Sequence, residues 1–130
     1  MRLKILFDSH ALVWFALGDR RFPTRLRGTL GESGTEFVIS AVCIWEIVTK
    51  VHRGKWPEAE PFVAQLDVTL RERAYIPLPI TLEHARVAGF FAWAHRDPFD
   101  RLLAAQSQIE GVPLVTADPV FRAFGTTVLW

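Results

Sequence analysis

Five short apolar runs, at residues 3–7, 36–39, 75–80, 113–116 and 126–130, alternate with segments of helical period. That order constrains the fold more than any single motif. Strands that alternate with helices build a mostly parallel sheet, with the helices covering both of its faces. Right-handed crossovers then bring the carboxyl ends of the parallel strands to one edge, where such sheets bind ligands. Pro77 and Pro79 make the third run a short or edge strand. The helical segments carry their own starts and stops. Residues 11–17 end at Gly18, and residues 23–30 run into a loop over 31–35. Ser40 caps a helix over 41–53, which Gly54 closes. Residues 58–73 read as one helix with Phe62, Leu66 and Leu70 on one face, and Thr81 caps another that reaches about Trp93. Asp118-Pro119 begins a last short helix. There is no repeat, linker or low-complexity tract, so the expected fold is one α/β/α domain over residues 1–130.

A chain of 130 residues with a formal net charge of +1 has no global attraction for nucleic acid or membrane, so any affinity for RNA must be local. The single cysteine, Cys43, excludes an internal disulfide and a cysteine-rich metal site. Arg2 and Lys4 precede the first apolar run, but Asp8 and His10 interrupt it before any cleavage signal. No apolar run is long enough to span a bilayer. The expectation is a cytoplasmic protein without membrane association.

The stretch His95-Arg96-Asp97-Pro98-Phe99-Asp100-Arg101 carries more carboxylate than a helix start requires. Asp97 fits an N-cap and Pro98 the first helical position. Phe99, Leu102, Leu103, Gln106 and Ile109 form a mostly apolar stripe, and Gly111 with Pro113 ends the helix. Other acids belong at the same sheet edge. Asp8 follows the first strand, Asp118 follows the strand at 113–116, and Asp100 opens the helix that precedes that strand. Glu46 lies within two turns of Ser40. Each has an ordinary explanation. Asp8 and Asp118 are in cap positions, and Glu46 can pair with Lys50 in the favourable i, i+4 order, although Trp45 and Ile47 on either side of it suggest partial burial. Jointly, four carboxylates at one edge repel one another and raise their own pKa values. A divalent cation removes that conflict, and all-oxygen ligands suit Mg²⁺ or Mn²⁺. His10, His52, His84 and His95 are scattered, and none is assigned to metal.

Phe7-Asp8-Ser9-His10, Ser40 to Ile47 with its Trp45-Glu46-Ile47, Arg96 to Gln106, and Leu114 to Asp118 resemble the successive motifs of PIN domains, most closely the VapC-type toxins of toxin–antitoxin pairs. The resemblance covers nearly the whole chain. It implies a Mg²⁺- or Mn²⁺-dependent endoribonuclease whose catalytic and metal-binding acids are Asp8, Glu46, Asp100 and Asp118. It further implies auxiliary positions at Asp97, Ser9 and Thr116, a homodimer, and inhibition by a cognate antitoxin. The alternative is a catalytically inactive PIN-like module that binds RNA or protein. A receiver-type phospho-acceptor lacks its middle-strand aspartate and late lysine here, and a haloacid-type phosphatase lacks its second aspartate after strand one. Lys50, Arg53, Lys55, Arg96 and Arg101 are candidates for contacting RNA phosphates, or are solvated or acid-paired side chains. Trp14, Trp45, Trp56 and Trp93 are candidates for a partner groove or dimer contact, with core packing expected for Trp14 and Trp45.

Overall fold

Lys4–Phe7 (β1) forms the centre of a sheet whose residues Ile5, Leu6 and Phe7 are all fully buried. Successive side chains on a strand point to opposite faces, so both faces of the sheet are covered. The computed structural model describes residues 3–32 and 34–130. Arg2, and Ser33 within the loop expected over 31–35, lie outside those residues. The other strands are Glu36–Ser40 (β2), Ile76–Leu78 (β3), Leu114–Val115 (β4) and Val128–Leu129 (β5), in the order β3-β2-β1-β4-β5. Every pairing is parallel. The mostly parallel expectation becomes an all-parallel sheet, and Pro77 does fall in an edge strand.

The helices are Ser9–Ala16 (α1), Thr24–Leu30 (α2), Ala41–His52 (α3), Glu60–Ala64 (α4), Leu66–Glu72 (α5), Leu82–Phe90 (α6), Pro98–Glu110 (α7) and Val120–Ala123 (α8). Their caps follow the local grammar of the sequence. Ser40 accepts from the N–H of Val42, Thr81 and His84 form a reciprocal capping box, and Gly111 ends α7 at φ +65°, a conformation in which a side chain is strained. Among the described residues, no helix is long and apolar enough to cross a membrane.

Two helices depart from expectation by more than a residue or two at an end. Residues 58–73 are not one helix but a 3₁₀ turn at Pro57–Ala59 followed by α4 and α5, with Gln65 outside helical geometry between them. The helix expected to reach Trp93 stops at Phe90; Phe91 turns into an extended conformation, its ring tilted against Phe124 with centroids 4.8 Å apart.

The chain enters at β1, builds outward to β2 and β3, then returns to lay β4 on the other side of β1. The carboxyl ends of β1 and β4 therefore flank a topological switch point, where a crevice opens in sheets of this kind.

Candidate active site

Asp8 leaves β1 at that crevice and caps α1, its Oδ1 accepting the N–H of Ala11 at 2.8 Å. Its Oδ2 accepts the hydroxyl of Thr116, which directly follows β4. The same Thr116 oxygen accepts the N–H of Asp118 at 3.0 Å, so one hydroxyl ties the two acids' segments together. Asp118 in turn accepts the N–H of Val120 at 3.0 Å and starts the short α8.

Glu46 arrives from α3. At about 100° per residue it falls between Val42 and Cys43, which are buried, while Trp45 falls on the far side. Its side chain is 12% exposed. The Ser9 hydroxyl donates to its Oε1 at 2.6 Å, and Lys50 donates to its Oε2 at 2.8 Å. The pairing with Lys50 and the inward position thus occur together. Trp45 is 58% exposed and does not pack in the core, contrary to expectation; its ring meets Phe99 edge-on at 4.9 Å. The sequence neighbours of Glu46 are not its neighbours on the helix.

Asp97 accepts the N–H groups of Phe99 and Asp100 at 2.8 and 3.1 Å and sets the first turn of α7. That turn brings Asp100 to the same place. Asp8, Glu46, Asp97, Asp100 and Asp118 all line one cleft of about 140 Å³, together with Ser9, His10, Lys50, Phe99, Leu103 and Phe121. Burial pushes the Asp8 carboxyl up to about 6, against the lowering effect of the Thr116 and Ala11 hydrogen bonds and with repulsion from Asp118 and Glu46. Burial and then repulsion from Asp97, Glu46, Asp118 and Asp8 push Asp100 up to about 7. The acids therefore feel one another across the cleft.

This donor set is all oxygen and strained by its own charge, which fits a hard divalent cation. Among the described residues, no trio of histidine, cysteine, aspartate and glutamate side chains stands ready as a metal-binding group. Three of the acids are instead engaged in hydrogen bonds: Asp8 with Thr116 and Ala11, Asp97 with its cap, and Glu46 with Ser9 and Lys50.

His10 lines the cleft without having been singled out from sequence. Its ring lies against Trp56 at 4.4 Å and near Trp14 at 5.7 Å, and burial followed by the Lys50 charge lowers its pKa. The available signal was its place two residues after the strand-ending Asp8. Arg53 and Arg96 are exposed but do not line the cleft. Arg101 is a correction. It is buried, and its guanidinium donates to the carbonyls of Ala88, Gly89, Phe91, Ala92 and His95. A guanidinium so occupied is not offered to a phosphate backbone. Trp56 is buried, Trp14 is partly buried against the core, and Trp93 is exposed, with Arg101 over its ring.

The fold is similar to solved structures of low sequence identity. The crystal structure of VapBC2 from Rickettsia felis bound to a promoter DNA fragment contains a chain with TM-score 0.73 and 16% identity, covering 98% of this chain and 98% of that one. FitAcB from Neisseria gonorrhoeae matches with TM-score 0.68 and 17% identity over 97% of this chain and 96% of its own. A toxin–antitoxin complex from Klebsiella pneumoniae matches with TM-score 0.66 and 16% identity over the same shares, 97% and 96%. No curated protein sequence is significantly similar to the chain. The sequence model of the PIN domain matches residues 5–126, and the chain belongs to the PIN domain family.

Proposed function

We propose that residues 1–130 form one PIN domain acting as a Mg²⁺- or Mn²⁺-dependent endoribonuclease, the toxin of a toxin–antitoxin pair working in the cytoplasm. The observation that carries this reading is the meeting of Asp8, Glu46, Asp97, Asp100 and Asp118 in one cleft at the switch point of the sheet. Asp8, Glu46, Asp100 and Asp118 would hold the ion. Bound there, a divalent ion would supply Lewis acidity for the attack of water on a phosphodiester and for the charge of the leaving oxygen. The chain's own groups prepare that chemistry. Thr116 and Ser9 fix one oxygen each of Asp8 and Glu46, and the Asp97 cap holds the turn that presents Asp100. Phe99, Leu103 and Phe121 wall the cleft with apolar surface, which strengthens the electrostatics inside it. Lys50, with the exposed Arg53 and Arg96, supplies the local positive charge that an RNA backbone needs.

Beside the cleft runs an apolar groove of about 690 Å³ lined by Ile44, Trp45, Val48, Leu70, Pro77 and Leu78 among others. Trp45 touches Phe99 of the cleft, so groove and cleft adjoin. This supports a cognate antitoxin that lays an apolar segment in the groove and places an arginine among the acids, where its fork binds carboxylates well. The toxin–antitoxin complexes among the structural matches support such a partner. A homodimer is the assembly that the likeness to VapC-type toxins implies.

The test is cleavage of total RNA by purified, antitoxin-free protein. Cleavage should require Mn²⁺ or Mg²⁺ and stop with chelator. Asp100→Asn should lower the rate about a hundredfold or more, since a metal ligand contributes several kcal/mol to the barrier, with an unchanged circular dichroism spectrum. A folded variant that cleaves at the wild-type rate removes Asp100 from the catalytic set. The second reading, an inactive binding module, is favoured by two observations: Lys50 occupies Glu46, and no trio of acids is preassembled among the described residues. It predicts RNA retention without metal-dependent cleavage in the same assay.

A further inference from the structure

Lys50 brings a positive charge into a cleft that five carboxylates line. It follows Glu46 by one helical turn on α3, and that spacing carries its ammonium to the Glu46 carboxylate at 2.8 Å. Glu46 is nearly enclosed at 12% exposure, whereas the Lys50 side chain is 40% exposed. An enclosed carboxylate without a counter-charge is costly, and Ser9 satisfies only one of its oxygens, at 2.6 Å. Lys50 satisfies the other. We propose that Lys50 is the resting counter-ion of the cleft and is exchanged for the divalent ion, leaving Glu46 as that ion arrives.

This inference rests on the metal-dependent reading above and adds what sets the ion's affinity. An ammonium and a divalent cation at the same carboxylate oxygen repel one another at close range, so the two alternate at Glu46. The exchange is mechanically simple. Glu46 stays anchored by Ser9, while Lys50 swings on a flexible four-carbon stem from a half-exposed position into solvent. No core side chain has to move. The ion-free chain thus keeps Glu46 compensated, and the metal site assembles only when an ion displaces an internal competitor. In the exchange the ammonium keeps its proton and no covalent bond changes.

The experiment is Mn²⁺ binding by isothermal titration calorimetry, on the full chain without RNA or antitoxin, for wild type and four variants. Lys50→Met and Lys50→Gln remove the competitor. Both should bind Mn²⁺ about fivefold more tightly, the factor expected for a partly exposed ion pair, and both should melt below wild type in chelator. Lys50→Arg keeps a competing cation and should show no tightening. Lys55→Met removes an exposed charge from the turn after α3 and should change the affinity less than twofold. Unchanged or weaker Mn²⁺ binding in Lys50→Met and Lys50→Gln overturns the exchange while leaving the metal site standing. Equal tightening in Lys55→Met also overturns it, because it reduces the effect to overall charge. A wild-type chain that binds no Mn²⁺ overturns the metal reading, and the exchange with it.

Discussion

Asp97 shows how one side chain serves both the helix and the cleft. Both of its cap hydrogen bonds go to Oδ1, from the N–H groups of Phe99 and Asp100, and the residue also lines the cleft and helps to raise Asp100. Capping and charge can be separated by substitution. Asp97→Ser keeps an acceptor for the cap and removes the negative charge, so Asp100 should titrate lower while stability and much of the cleavage activity remain. Asp97→Ala should lose about 1 kcal/mol with the cap, read from urea unfolding. If Asp97→Ser is as inactive as Asp100→Asn, Asp97 belongs to the catalytic set. The acids were legible because a carboxylate that ends a strand or starts a helix is confined to the sheet's carboxyl edge by topology alone. Glu46 was legible too, although for the wrong reason. Its helical phase and not its apolar neighbours turns it inward, and the same phase turns Trp45 outward to 58% exposure. His10 is less legible because, beyond its i, i+4 neighbour Trp14 on α1, its closer ring contact is with Trp56, which only the folded chain brings to it.

Between elements, the contacts that decide boundaries are the ones a local pattern does not contain. Arg101 projects from the second turn of α7 into the end of α6 and the connection after it, where five carbonyls receive its guanidinium. Ala88 and Gly89 belong to α6 itself, and a cation at a helix C-terminus is favoured by the exposed carbonyls there. This arrangement ends α6 at Phe90 and fixes the connection that leads to Asp97, which explains why the apolar continuation to Trp93 did not extend the helix. Gln106 plays a similar part on the apolar stripe of α7. Its Oε1 accepts the Ser40 hydroxyl and its amide donates to the Pro79 carbonyl at 3.2 Å, joining α7 to the end of β2 and to the residues after β3. The break at Gln65 has no such signature, and no glycine or proline marks it. Arg101→Met should therefore destabilise the fold by about 3 kcal/mol, the loss expected when charge-assisted bonds are removed and buried carbonyls are left short of donors. Arg101→Lys, with a compact ammonium in place of the planar fork, should recover only part of that loss. Thermal melts of both variants in chelator measure this. A Met variant that melts with wild type would return Arg101 to the pool of surface cations.

At the scale of the whole molecule, the cleft couples stability to pH and to metal with opposite signs. Asp8 and Asp100 are raised to about 6 and about 7, above the usual carboxylate range near 4. Between pH 4 and 7 the native chain thus binds more protons than the unfolded one, so these two groups make stability fall as pH rises through that window. Asp19 and Glu83 are held below their ordinary values by Arg21 and Arg86, and their contribution to the pH dependence lies at the acid edge of this window. His10, lowered by burial, works in the opposite direction as one group against two. In chelator, the melting temperature should therefore be higher at pH 5 than at pH 7.5, and Asp100→Asn should flatten the difference. A divalent ion takes the deprotonated acids and releases their protons, so its affinity should increase over the same range. At a hundredfold excess over its dissociation constant it should add about 2.7 kcal/mol, enough at pH 7.5 to narrow or reverse the acid preference of the ion-free chain. Calorimetric melts at the two pH values, with chelator and with Mn²⁺, give the four numbers needed. A chelated melting temperature that rises from pH 5 to 7.5 contradicts the raised carboxylates. One that ignores Mn²⁺ at pH 7.5 contradicts the metal site.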